Sequence, residues 1–144
     1  MICFPDVNVW LSLIVAEHVH HKAATSWYKA VEWETLIFCR VTQMGFLRLL
    51  TNGNVMGARA RSVDGAWAVI DQLRRSPQIR FASEPPGIEN LWRDLTPPSQ
   101  SGSSFWTDAY LAAFAKATGY TLVTFDRGFT RYRNIPLEIL SKEL

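Results

Sequence analysis

The sequence predicts an α/β fold: a three-layer α/β/α sandwich in which helices cover both faces of a mostly parallel central sheet. Two observations lead to this class. Short apolar segments typical of buried strands alternate along the chain with longer segments of helical periodicity. The composition, 48% hydrophobic and 19% charged residues, is that of an ordinary globular protein, and 144 residues suffice for one core. We therefore expect a single domain over residues 1–144.

Four strands are predicted from short runs of apolar and β-branched residues. They are residues 1–4, 35–39, 79–82 and 121–124. Each of the first three is followed by a predicted helix. Because parallel strands need long crossover connections, this order favours a parallel sheet.

Six helices are predicted from apolar residues at helical spacing and from signals at the helix ends. They are residues 7–16, 20–31, 42–50, 62–76, 87–95 and 105–118. Thr42 and Ser62 are of the type that caps a helix N-terminus. Asn52 and Gly53 are expected to end the third helix, and Gly119 closes the sixth. The segment before the sixth helix, "TPPSQSGSSFWTD", is the one loop-rich stretch.

Several side chains are expected in the core. Trp10, Trp27 and Trp67 lie on apolar helix stripes. Cys3 and Cys39 lie in predicted strands without a metal-binding spacing, so they should be buried as thiols and not joined in a disulfide. The apolar run at residues 7–16 is short and interrupted by polar residues, which is unlike a signal peptide or a membrane span. A cytoplasmic protein with no membrane partner is the resulting expectation.

Three aspartates follow or face the predicted strand ends. Asp6 comes directly after the first strand, and Asp126 follows the late strand. Asp108 lies in the first turn of the sixth helix, on its inward stripe. Ligands of parallel α/β sheets bind beyond the carboxyl ends of the strands, where these acids should meet. Carboxylates gathered there repel each other unless a cation shares them, and oxygen ligands suit Mg²⁺ or Mn²⁺.

Each acid also has an ordinary structural explanation. Asp6 is suited to cap a helix, Asp108 is favoured in a first turn by the helix dipole, and Asp126 begins a turn in "DRGF". The residues alone leave both interpretations open.

Four segments in order resemble the PIN-domain ribonucleases, specifically the VapC toxins of bacterial toxin–antitoxin pairs. They are "ICFPDVNVWLSL", "RVTQMGFLRLLT", "WTDAYLAAFA" and "LVTFDRGF", and the resemblance covers essentially the whole chain. It implies a Mg²⁺-dependent endoribonuclease, with Mn²⁺ as the alternative ion. Asp6 and Asp108 would be the principal metal ligands, and Asp126 would complete the site. The resemblance also implies an RNA substrate, a VapB-like antitoxin and a homodimer.

Further site residues follow from the same resemblance. Asn8, Thr42 and Thr124 would be polar neighbours of the ligands. Gln43 stands in "TQMG" where many members of the family carry Glu, so it is expected at the catalytic site without the charge.

Arginine supplies eleven of the fifteen basic residues, and its guanidinium is suited to phosphate. The candidate phosphate contacts are Arg40, Arg48, Arg127, Arg131 and Arg133. Solvated surface positions are the alternative for each of them. The three histidines of "EHVHH" lack a fourth zinc ligand, so they are expected to begin the second helix.

Two other functions fit parts of the sequence. "FPDVNVWL" also resembles the first motif of haloacid-dehalogenase-type phosphatases, but Asn8 replaces the second acid of that motif. A non-catalytic PIN-like binding module is the second alternative, in which Gln43 marks a decayed site. The retention of three aspartates argues against it.

Overall fold

A parallel sheet organises the chain, for which a computed structural model describes residues 1–99 and 102–141. Its five strands in these residues stand in the order β3-β2-β1-β4-β5, and every neighbouring pair is parallel. The strands are β1 (Ile2–Pro5), β2 (Thr35–Phe38), β3 (Ile79–Phe81), β4 (Thr121–Thr124) and β5 (Leu137–Ile139). The predicted parallel α/β class is confirmed.

Helices connect the strands and cover both faces of the sheet. They are α1 (Val7–Ile14), α2 (His21–Ala30), α3 (Arg40–Leu50), α4 (Gly53–Met56), α5 (Val63–Arg74), α6 (Ile88–Asp94) and α7 (Phe105–Thr118). Two short 3₁₀ helices, Gly57–Arg59 and Arg127–Arg131, lie between them. No helix in the described ranges is long and apolar enough to cross a membrane.

Alternate side chains of the strands feed two separate cores. Cys3 and Phe38 pack with α1, α2, α3 and α5 on one face of the sheet. Phe4 and Leu122 pack with α6 and α7 on the other face. This alternation is the two-residue period of a strand buried on both sides, and it produces the three layers.

The sheet order creates a switch point at its centre. From β1 the chain continues outward to β2 and β3, and it later returns to place β4 on the other side of β1. Pro5 of β1 pairs with Val123 of β4, so the residues that follow both strands leave the sheet side by side. Ligand sites of open α/β sheets lie at such a point.

The helix starting near Thr42 was predicted two residues too late. It begins at Arg40 with Cys39 as the N-cap, and the backbone N–H of Cys39 donates to the Thr42 hydroxyl at 3.0 Å. Thr42 therefore closes the first turn from inside the helix. The helix ends at Leu50, and Asn52 caps the next short helix through the backbone N–H of Asn54 at 2.9 Å.

Two other details differ from the predictions. β5 was missed, because three residues are too few for their alternation to stand out, and all three are only half-buried. Trp67 was expected in the core, but 47% of it is exposed, since Ala66, Val69 and Ile70 already form the buried face of α5. The two cysteines are buried and unpaired as predicted. Residues 100 and 101 of the predicted loop lie outside the described residues.

Gly45 allows α1 and α3 to approach closely beside the switch point. A Cβ atom at this position would lie 2.8 Å from one γ-methyl of Val7. Val7 is the first residue of α1, between Asp6 and Asn8, and a β-branched side chain in a helix has little rotamer freedom.

We expect Gly45→Ala to destabilise the protein by about 1–3 kcal/mol, because the added methyl group overpacks the contact with Val7. Urea denaturation should report the change as a lower midpoint. Gly53→Ala is the matched control, since nothing lies within 4 Å of its added Cβ atom and the residue is also helical. Equal midpoints for the two variants would contradict the close contact.

Candidate metal centre

Asp6 places a buried carboxylate between β1 and β4. The residue caps α1, and 9% of it is exposed. One carboxylate oxygen, Oδ1, accepts the backbone N–H of Val7 at 2.7 Å, and Oδ2 accepts the Thr124 hydroxyl at 2.9 Å. The backbone N–H of Asp6 donates to the carbonyl of Val123 at 2.8 Å, which extends the strand pairing to this residue. The orientation of the acid is therefore fixed from both strands.

The surroundings of Asp6 favour its neutral form. Burial is the main cause that raises the pKa of this carboxyl to about 6, and the negative charges of Asp108 and Asp126 add to the effect. The hydrogen bonds from Thr124 and Val7 act in the opposite direction. A buried acid with a raised pKa and acidic neighbours is a common property of functional sites, and a bound cation would reverse it.

Asp108 reaches the same edge of the sheet from the first turn of α7. Its Oδ2 lies 3.4 Å from Nη2 of Arg131, which also donates to the Tyr132 hydroxyl at 2.8 Å. Burial raises the pKa of the Asp108 carboxyl, and the charge of Asp126 contributes; a hydrogen bond from Ser104 and the charge of Arg131 oppose this shift.

Asp126 is exposed and caps the 3₁₀ helix that follows it. Its Oδ1 accepts the backbone N–H of Gly128 at 2.8 Å, while its own backbone N–H donates to the Thr124 hydroxyl at 3.0 Å. Thr124 thus binds the side chain of Asp6 and the backbone of Asp126 through one oxygen. A Cβ atom at residue 128 would lie 2.9 Å from the Asp126 Oδ1, which explains the glycine there.

The donor atoms fit a hard cation that keeps part of its water shell. The charges of Asp108 and Asp126 both contribute to the raised pKa of Asp6, and the charge of Asp126 contributes to the raised pKa of Asp108, so the three acids are near each other. Within residues 1–99 and 102–141, however, no three or more His, Cys, Asp or Glu side chains are placed so that together they could hold a metal ion. Mg²⁺ is usually held by one or two carboxylates and several waters, so Asp6 and Asp108 alone would suffice as protein ligands. A shared site for all three acids stays a prediction.

Other residues from the predicted site lie in two groups. Asn8 is exposed on the first turn of α1, whereas Thr42 and Gln43 are buried in the first turns of α3. The side-chain oxygen of Gln43 accepts from the Arg40 guanidinium, and the residue lines a small cavity with Phe38. The hydrogen bonds of Gln43 thus direct it toward Arg40, and its predicted catalytic role stays a prediction.

The five candidate arginines differ in how much they are engaged. Arg131 pairs with Asp108, and Arg40 lies 4.4 Å above the ring of Phe81. Arg48, Arg127 and Arg133 are exposed. No pattern in the sequence predicted the Arg131 pairing, because Asp108 is 23 residues away and only the fold joins them.

The histidines connect the end of α1 to the start of α2. His20 occupies the N-cap position of α2 and stacks on Phe125, with ring centroids 4.1 Å apart. Nδ1 of His21 lies 2.7 Å from the carbonyl oxygen of Ser12, and His18 accepts the backbone N–H of His20 at 3.0 Å. The expectation that the histidines begin the second helix is confirmed for His20 and His21, whereas His18 lies in the bend before it.

We expect the metal-free Asp6→Asn variant to be more stable than wild type above about pH 6. The pKa of Asp6 is raised from 3.8 to about 6. The contribution of the protonated carboxyl to the free energy of unfolding is therefore fully present below pH 3.8 and is lost as the pH rises through about 6. Asn stays neutral, and the upper limit of the gain is about 3 kcal/mol, from two pKa units.

Urea denaturation in EDTA at pH 8 and at pH 4 tests this expectation. The advantage of Asp6→Asn should be present at pH 8 and absent at pH 4. Asp71→Asn, on the exposed face of α5, is the control for loss of a negative charge. An advantage of Asp6→Asn that is the same at both pH values would show that the ionisation of Asp6 is not its cause.

Comparison with known proteins identifies the family. The PIN domain model matches residues 3–135. Ribonuclease VapC41 of Mycobacterium tuberculosis is 41% identical over 142 residues, which cover 95% of this chain and 97% of that protein. Ribonuclease VapC38 of the same species is 32% identical over 143 residues, which cover 94% of this chain and 96% of that protein.

Solved structures agree on the fold. The VapC20 toxin of M. tuberculosis, which cleaves the sarcin–ricin loop, superposes with a TM-score of 0.68 at 20% identity, over 98% of this chain and 100% of that chain. VapBC2 of Rickettsia felis, solved with a promoter DNA fragment, gives a TM-score of 0.73 at 14% identity over the same shares. The phosphatase alternative is therefore removed. The chain belongs to the PIN-domain family and, within it, to the VapC ribonucleases.

Proposed function

We propose that this protein is the toxin of a toxin–antitoxin pair, a Mg²⁺-dependent endoribonuclease that cleaves cellular RNA and is neutralised by a VapB-like antitoxin. The observation that carries the proposal is the buried Asp6 carboxylate, fixed between β1 and β4 beside two further acids. Family membership supports the reaction class. We place the protein in the cytoplasm, where its RNA substrates would be found.

Asp6 and Asp108 would hold the ion, with Asp126 beside them and Mn²⁺ as the alternative to Mg²⁺. When bound, Mg²⁺ would supply charge stabilisation at the phosphate and an activated water. The residues of the chain position the acids for this task. Thr124 and the N–H of Val7 orient Asp6, and the charge of Arg131 opposes the rise that burial causes in the pKa of Asp108.

Four of the candidate arginines are suited to the RNA backbone. Arg127 is the first residue of the 3₁₀ helix that Asp126 caps, Arg133 lies two residues beyond its end, and both are exposed. Arg40 and Arg48 lie on α3 and would meet a more distant part of the strand. Phosphate contacts of this kind fix the position of the RNA and carry no sequence information.

A groove lined in part by α1, the helix that follows Asp6, is suited to the antitoxin. It lies between α1, α3 and α4, has a volume of about 460 Å³, and is lined by Leu11, Leu49 and Met56 with Asn8 at one end. An apolar segment of the antitoxin in this groove would end close to Asp6, since Asn8 is two residues away. The solved VapBC complexes support such a partner, and we propose that the toxin itself is a homodimer.

We expect purified protein to cut members of a cellular RNA panel at discrete sites in Mg²⁺ and not in EDTA. Asp6→Ala should abolish the cuts, because it removes a ligand held in place by two hydrogen bonds. Undiminished cutting by Asp6→Ala would refute metal-dependent cleavage at this site. Binding of RNA without cutting would favour the binding-module alternative.

Expression without the antitoxin should arrest growth, and Asp108→Asn should relieve the arrest at equal protein level.

We expect Gln43→Glu to lower the Mg²⁺ midpoint of cleavage by up to about tenfold, the equivalent of about 1.4 kcal/mol, through its added negative charge. Because Gln43 binds Arg40, the new carboxylate would be partly neutralised. The shift should therefore grow when Arg40→Ala is combined with Gln43→Glu, and Arg40→Ala alone is the control. Unchanged midpoints in both backgrounds would place Gln43 outside the reach of the metal.

A further inference from the structure

An aromatic groove opens on the side of α7 away from Asp108. It has a volume of about 470 Å³ and is lined by the first turn of α3, by α6 and by the first turns of α7. Its main side chains are Arg40, Glu84, Trp92, Trp106 and Tyr110. The mechanism proposed above uses none of the aromatic residues in this set.

Trp106 is exposed and yet held in place. Its exposed fraction is 61%, which is high for the largest apolar side chain. The ring of Trp92 meets it edge-on, with centroids 6.1 Å apart and an interplanar angle of 81°. The indole N–H of Trp92 also donates to the backbone carbonyl of Trp106 at 3.0 Å. One ring is thus fixed by another and leaves apolar surface open to a ligand.

The charges of the groove favour a base over a phosphate. Arg40 contributes one positive charge, and Glu84 contributes one negative charge, whose Oε2 accepts the Tyr110 hydroxyl at 2.7 Å. The groove is therefore close to neutral, with aromatic walls and a carboxylate that would repel a phosphate. Aromatic surfaces of this kind stack unpaired bases, at about 1–3 kcal/mol per base.

The position of the groove relates it to the acids. Trp106 and Asp108 lie two residues apart in the first turn of α7, so their side chains leave the helix about 200° apart. A strand with a phosphate at Asp108 must pass over the N-terminus of α7 to bring a base to Trp106. Such a path requires a bent, unpaired strand, because the bases of a duplex are stacked inside it.

We propose that Trp106, supported by Trp92, stacks an unpaired base of the RNA that flanks the cleaved phosphodiester. The inference rests on the proposed ribonuclease function and adds a specificity-determining contact to it. Trp106 thereby selects unpaired RNA, as in loops, over RNA in helices.

Binding of a fluorescein-labelled, unpaired RNA decamer in EDTA tests the contact without cleavage. Fluorescence anisotropy should show a Kd about tenfold higher for Trp106→Ala, which corresponds to about 1.4 kcal/mol for one stacked base. Trp106→Phe, which retains an aromatic face, should recover most of the affinity. Trp33→Ala is the matched control, because Trp33 is 91% exposed and lies between α2 and β2.

A set of decamers with one abasic position each provides the second measurement. The wild-type protein should bind one of these decamers more weakly than the intact decamer, which identifies the position of the stacked base. Trp106→Ala should bind that abasic decamer and the intact decamer with the same affinity. Equal Kd values for Trp106→Ala and Trp33→Ala would overturn the inference. If the wild-type protein still cleaves RNA in that case, the proposed ribonuclease function stands. A Trp106→Ala protein that binds RNA normally but sediments as a smaller species would assign the groove to a second copy and also overturn it. Wild-type protein that neither binds nor cuts RNA would refute both proposals.

Discussion

The hydrogen bond from Thr124 to Asp6 is the interaction on which the site depends. It joins the ends of β1 and β4 at the centre of the sheet, 118 residues apart in sequence, and it is buried. The same hydroxyl accepts the backbone N–H of Asp126, so one threonine sets the positions of two acidic residues. Burial of a carboxylate without a charged partner is destabilising. The buried carboxylate lies at the switch point of the parallel sheet, where ligand sites of such sheets are found.

The rest of the chain compensates the negative charges of the three acids to different degrees. Asp108 has a cation in Arg131, and Asp126 is exposed to water. Asp6 receives two hydrogen bonds and no ion pair among the described residues, and it carries the pKa that is raised to about 6. The strongest demand for a cation is therefore at the most buried acid. This asymmetry is the physical reason to place a metal ion next to Asp6 first.

The two sides of the site are built for different parts of a nucleic acid. The 3₁₀ helix after β4 carries exposed arginines, which suit a charged backbone. The groove beyond Trp106 is aromatic and nearly neutral, which suits a base. The close contact of Gly45 with Val7 holds the helix that follows Asp6 against α3. Backbone and base contacts would thus be separated by the N-terminus of α7.

The sequence by itself determined the class of the fold, the order of its main elements and the placement of acids after β1 and β4. The bounds of α7 agree with the prediction at both ends, because its apolar spacing and Gly119 are local signals. The tertiary structure alone decided the raised pKa of Asp6, the pairing of Arg131 with Asp108 and the exposure of Trp67. These properties arise from contacts between distant segments and from the space that neighbouring side chains leave. The periodicity of residues along the chain predicts neither of them.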